Sequence, residues 1–191
     1  MISLARIALA VQLMAPTLPK AAVEHYANTI AYQARVRRLD PLLLVAVAAH
    51  ESRFRASLKA TADGELYVGL GQVRARNYRE CQESIDSEAC KQRIASLQDG
   101  GTNLVHAAIA LSDARRFCAR KLHRASSVAE YLSLYQGYGG RPEVGGGYCL
   151  RTRKGTRAPM PKLTRRVLRM RDCLYREVHR RKPRSLVCYP H

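Results

Sequence analysis

Leu39-Asp-Pro-Leu-Leu-Leu-Val-Ala-Val-Ala-Ala-His-Glu51-Ser52 is the stretch on which the fold turns. Asp40 followed by Pro41 is a helix start. The Asp side chain can accept from a free backbone N–H, and Pro fits the first helical position, where no N–H is needed. Residues 42–49 are then apolar on every side, which predicts a central helix buried all round. That helix runs directly into His50-Glu51-Ser52, so it carries a carboxylate at its end. Upstream, residues 21–38 read as an amphipathic helix, with Ala22, Tyr26, Ile30 and Ala34 on one face. Downstream, a polar loop turns at Ala62-Asp-Gly-Glu65. Next come Gly69-Leu-Gly-Gln72 and a polar stretch between Cys81 and Cys90. Helices follow over about 102–116 and 126–136, the second ending in Gly137-Tyr-Gly-Gly140, and then a loop with Gly145-Gly-Gly147. With no internal repeat and no β-alternation, the expectation is a mainly α fold.

The 191 residues fit one domain with short terminal extensions, divided here as 1–20, 21–150 and 151–191. A hydrophobic fraction of 47% is enough for a core and excludes wholesale disorder. Residues 1–20 set Arg6 before an apolar run, Ile7 to Ala15, interrupted by Gln12. This is the outline of a secretory signal or of an ordinary first helix. Six cysteines, without a CxxC pair, point to disulfides and an oxidising compartment rather than a zinc ribbon. They allow 15 pairings. Cys81 with Cys90 closes a small loop, and Cys173 with Cys188 would pin the end of the chain.

Lys and Arg number 33 against 15 Asp and Glu, a net charge of +18, which implies an anionic partner. Fourteen of these cations fall between Arg151 and Arg184. There Leu163, Val167, Met170, Leu174 and Val178 recur at helical spacing. Two readings stand side by side: a last helix packed on the domain with a solvated basic face, or a dedicated polyanion surface.

Glu51 is the residue most suited to chemistry. A carboxyl group at the end of an apolar helix loses water, which raises its pKa and lets it stay protonated as a proton donor. The alternative is a solvated Glu51 paired with Arg53 or Arg55. A zinc-protease motif would need a second His where Phe54 stands, and His50, His106 and His123 have no other ligand-like spacing. Neither a GxSxG elbow nor a phosphate-binding glycine motif occurs, so no metal and no nucleotide cofactor is expected.

Three motifs in order resemble one family. The run ending in Glu51-Ser52, then Gly69-Leu70-Gly71-Gln72, then Leu134-Tyr135-Gln136-Gly137 are similar to the Glu-Ser, Gly-Leu-Met-Gln and Ala-Tyr-Asn elements of the soluble lytic transglycosylases. The resemblance covers about residues 21–145. It implies a lysozyme-like helical domain, here with a basic C-terminal extension. It also implies cleavage of the β-1,4 bond between N-acetylmuramic acid and N-acetylglucosamine in peptidoglycan glycan strands, without a cofactor. On it, Glu51 is the catalytic acid and then base. Gln72 lies in the glycan groove, Tyr135 stands close to the carboxylate, and Ser52 supports the local structure; a bond from the Tyr135 hydroxyl to Glu51 is a further expectation. Thr61 falls near a loop Ser of the family, and Gln136 takes the place of its Asn. Gly71 replaces its Met, and the loop carrying Asp63 and Glu65 is longer. Ser52, Thr61, Gln72, Tyr135 and Gln136 form the expected substrate-binding set.

Two rival readings remain at this point. One is a hydrolytic muramidase in which Asp63 or Glu65 activates water. The other is a non-enzymatic polyanion-binding module. Nucleic acid is not expected, since no nucleic-acid motif is present. The expected location is the periplasm or cell envelope.

Overall fold

In the computed structural model, residues 2–138, 160–180 and 188–189 are described. The glycine loop at 145–147, Cys149 and the cations at 151–157 and 181–184 lie outside them. The central element is α3 (Pro41–Ser52). Asp40 caps it, its Oδ1 accepting from the Leu42 N–H at 2.9 Å. Leu42 to Ala49 are each no more than 1% exposed. Such burial requires neighbours on every side. They are α1 (Leu4–Met14), α2 (Lys20–Arg37), α5 (Gly100–Leu122) and α7 (Lys162–Glu177). Fully burying one large aliphatic side chain stabilises by roughly 1.5–3 kcal/mol, so this helix is the principal source of cohesion.

The apolar run near the N-terminus is one face of α1, with Ile7, Ala10, Val11 and Met14 in the common core. The last helix belongs to the same core. Val167, Met170, Leu174 and Val178 are buried, and the stripe is headed by Thr164 rather than Leu163, which is 39% exposed. The helix therefore packs on the domain and turns its arginines outward. Cys173–Cys188 ties the following segment to it, and the Tyr189 hydroxyl donates to the Met14 carbonyl at 2.9 Å.

The fold is mainly α, as expected, with one small sheet between α3 and α5. β1 (Lys59–Ala62), β2 (Glu65–Val68) and β3 (Val73–Arg74) form an antiparallel sheet in that order. Asp63 and Gly64 both have positive φ (53° and 73°) and make the two-residue turn of a tight hairpin. The turn was legible in the sequence. The strands were not, because in two to four residues each they bury only Val68 and Val73 and show no period-two pattern.

The polar stretch after them is built from short helical pieces. It folds into two short 3-10 turns, Ala75–Asn77 and Arg79–Cys81, and α4 (Glu88–Leu97), capped by the Ser87 hydroxyl. These pieces share a second small core of Val68, Ala75, Cys81, Cys90, Ile94 and Leu97, crossed by the Cys81–Cys90 disulfide. After α5, α6 (Val128–Ser133) starts with a capping box, Ser127 and Glu130 each bonding the other's backbone N–H. It continues into a π-turn, Leu134–Tyr138.

Candidate active site

Glu51 lies in the last turn of α3, where the buried helix reaches the edge of the core. The residue keeps partial exposure, yet burial raises its carboxyl above the ordinary value; the hydrogen bond from Gln136 opposes this and is the smaller effect. Among the described residues no Lys or Arg pairs with it. Arg53 ends the helix in the left-handed region, and Arg55 Nε donates to the Ser52 carbonyl instead. Phe54 is also left-handed, at φ 59°, and buried against Tyr26 with ring centroids 6.3 Å apart. A bulky residue in that region is uncommon and persists only where packing holds it. The packed ring fixes the chain's exit from the Glu51 turn.

Two consecutive residues of the π-turn meet this end of α3. Gln136 Nε2 donates to Glu51 Oε1 at 3.3 Å, and Gln136 Oε1 accepts from the Thr164 hydroxyl of α7 at 2.9 Å. Tyr135 does not bond to Glu51. Its hydroxyl donates to the Gly71 carbonyl at 2.5 Å, so the amide of Gln136, not the phenol, holds the carboxylate. Tyr135 still lies within the field of Glu51, and its pKa stands well above the ordinary value, first through burial and then through that charge.

The Gly69–Gln72 loop faces these residues. Asn103 of α5, fully buried, pins it. Its Oδ1 accepts from the Gly71 N–H at 2.7 Å, and its Nδ2 donates to the Val68 and Leu97 carbonyls, both at 2.8 Å. A Cβ on Gly71 would stand 2.5 Å from the Ala107 Cβ and 2.8 Å from the Tyr135 hydroxyl. A side chain at position 71 could not be placed here without moving Ala107 or Tyr135, so the glycine permits the Tyr135–Gly71 bond.

The remaining expected site residues are placed as follows. Ser52 is buried and its hydroxyl turns back to the Ala48 carbonyl at 2.9 Å, so it serves its own helix. Gln72 adopts a positive φ of 49° and folds onto its own loop, Nε2 donating to the Gly69 carbonyl at 2.9 Å. Thr61 is exposed on β1 opposite Leu66. Asp63 is exposed at the hairpin apex. Glu65 is bound by Arg74 at 2.5 Å with Arg76 at 3.8 Å, and the Arg74 bond holds its carboxyl below the ordinary range. Glu51, Tyr135 and Gln136 thus converge; Ser52, Thr61 and Gln72 do not point side-chain polar atoms at them.

Three participants are new. Asn103 sits on the apolar stripe of α5, one turn before Ala107, and a polar residue on such a stripe was the available signal. Thr164 likewise heads the stripe of α7. Tyr78 carried no signal. It meets His106 edge-on at 5.2 Å, has the Arg93 guanidinium 5.1 Å over its ring, and burial pushes its pKa up to about 12. Beside Glu51, His50 is held below its ordinary pKa by burial and then by Arg166.

Among the described residues no group of three or more His, Cys, Asp or Glu could hold a metal ion. A groove of about 1010 Å³ lies at the opposite end of α3, lined by Leu4, Tyr32, Asp40 and Tyr175 among others, away from this chemistry. No protein-family model, curated protein or solved structure matches the chain.

Proposed function

We propose that the protein is a peptidoglycan lytic transglycosylase of lysozyme-like architecture, with Glu51 as its general acid and then base. The observation that carries this is a desolvated carboxyl group, free of any cation among the described residues, at the end of the buried helix. A carboxyl kept neutral near working pH can protonate a leaving oxygen. Glu51 would donate its proton to the glycosidic oxygen as the C1–O bond breaks. The carboxylate so formed would take the proton of the muramyl C6 hydroxyl while that oxygen bonds to C1, which closes a 1,6-anhydro ring. The substrate's N-acetyl oxygen stabilises the positive centre, so one enzyme carboxyl suffices.

Two observations favour this over the muramidase reading. Glu65 is engaged by Arg74, which disfavours its taking a proton, and Asp63 stands exposed at a turn. The +18 charge suits a wall polymer with carboxylates on its peptide stems. The disulfides fit an oxidising compartment, and no described helix is long and apolar enough to cross a membrane. On this reading the working location is the periplasm or cell envelope. Mass analysis of fragments released from purified sacculi tests it: anhydromuramyl ends are expected. Reducing ends would assign a hydrolase, and no release would remove the enzymatic reading.

A further inference from the structure

We infer that Thr164, at the start of the last helix, is a positioning residue for Glu51, acting through the Gln136 amide. This deepens the reading of Glu51 as the acid and rests on it. It lies outside residues 21–145, where the family resemblance ends.

The geometry is a relay of three side chains from three elements. Thr164 has no exposed surface, so its hydroxyl must find a partner inside the protein. It finds Gln136 Oε1 at 2.9 Å, and Gln136 Nε2 lies 3.3 Å from Glu51 Oε1. A glutamine amide has two ends of similar size and opposite polarity. With its oxygen taken by the Thr164 hydroxyl, its NH2 faces the carboxyl group, which when ionised can only accept. That is the one orientation in which ionised Glu51 meets a donor. The flipped amide would set oxygen against carboxylate.

Two consequences follow for the acid. Oε1 is occupied as an acceptor, so the transferable proton resides on Oε2. The carboxylate left after proton donation also keeps a hydrogen bond, ready to act as base. Thr164 is held in register by the same helix: Val167 and Met170, three and six residues on, are buried in the core shared with α3. The segment that reads as a basic tail thereby completes the site.

Without the Thr164 hydroxyl the amide is free to turn, and the hydrogen bond that favours ionised Glu51 weakens. The sign is then fixed: the Glu51 pKa rises. The experiment is a carboxyl-carbon NMR titration of full-length protein labelled in Glu, with Glu51 assigned by its loss in Glu51→Gln. Thr164→Val, nearly the same shape, should raise the Glu51 midpoint by about one unit, the size expected for one charge-assisted hydrogen bond. Thr164→Ser should restore the wild-type midpoint. On sacculi, Thr164→Val should lower kcat about tenfold with KM unchanged, and shift the alkaline limb of the rate profile upward with the midpoint.

Gln136→Leu provides a second route should the valine variant fold poorly. It should raise the midpoint by itself, and adding Thr164→Val should then raise it no further. A folded Thr164→Val whose Glu51 titrates as wild type overturns the inference, as does a further rise in the double variant. The titration needs no substrate. Moved midpoints in a protein that cleaves no glycan would uphold the relay and refute the function, and unmoved midpoints in an active enzyme would do the reverse.

Discussion

Glu51 is pulled in two directions, by burial toward the neutral acid and by Gln136 toward the carboxylate, and burial prevails. Gln in its place keeps the shape but has no proton to give. Glu51→Gln should therefore lower the cleavage rate at least by the usual 10²–10⁴-fold of general acid catalysis, measured on purified, folded protein. The same residue makes a stability prediction. A carboxyl whose folded pKa is raised binds its proton more tightly in the folded than in the unfolded chain. Its contribution is fully present below the unfolded value of about 4.5 and is lost as pH rises through the folded value. Glu51→Gln should thus melt at a higher temperature than wild type at about pH 8, and at nearly the same temperature at about pH 4. Equal shifts at both would mean that Glu51 is well solvated. Gly71 gives a steric test. Gly71→Ala drives a methyl against Ala107 and the Tyr135 hydroxyl. Overpacking of this kind costs roughly 1–3 kcal/mol, readable in a denaturant melt, and activity should fall as the loop moves off Asn103.

At the scale of elements, the site is assembled from pieces held by different means. The end of α3 is fixed by core burial, the Gly69–Gln72 loop by Asn103, and the π-turn by its bonds to that loop and to α7. The small core under the hairpin has few side chains and leans on its disulfide. Replacing Cys81 and Cys90 by Ala should cost about 2–3 kcal/mol, as for a loop of this length. Hydrogen exchange should show the loss concentrated in β1–β3 and α4, with α3 still protected. Uniform loss would mean the two cores unfold as one unit. The last helix cannot be treated as an appendage. Removing it would uncover the buried face it shares with α3 and delete Thr164, so a chain ending after Leu150 should lose the fold itself rather than only affinity for anionic polymers.

For the whole molecule, the +18 charge sets behaviour at a distance from the site. Arg165, Arg169 and Arg176 are exposed on α7, outside its buried stripe. Reversing these three to Glu should weaken binding to sacculi at low salt and leave melting nearly unchanged. The difference should vanish as salt rises, because exposed charges act over only about 8 Å at physiological ionic strength. Binding equal to wild type at every salt concentration would make this face merely solvated. A good part of this molecule is decided by local sequence. The all-apolar run reads as a buried helix because Asp40-Pro41 starts it, the stripes of α5 and α7 repeat at helical spacing, and Cys81 and Cys90, like Cys173 and Cys188, are close enough in sequence to pair. Glu51 is visible for the same reason, as a charge at the end of a segment that must leave water. The tertiary structure alone decides what surrounds that charge. Strands of two to four residues with at most one buried side chain each carry no periodic signal. The partner of a buried hydroxyl or amide is whichever group the packing brings within 3 Å. That is why Gln136 rather than Tyr135 holds Glu51, and why a threonine 113 residues further along the chain orients it.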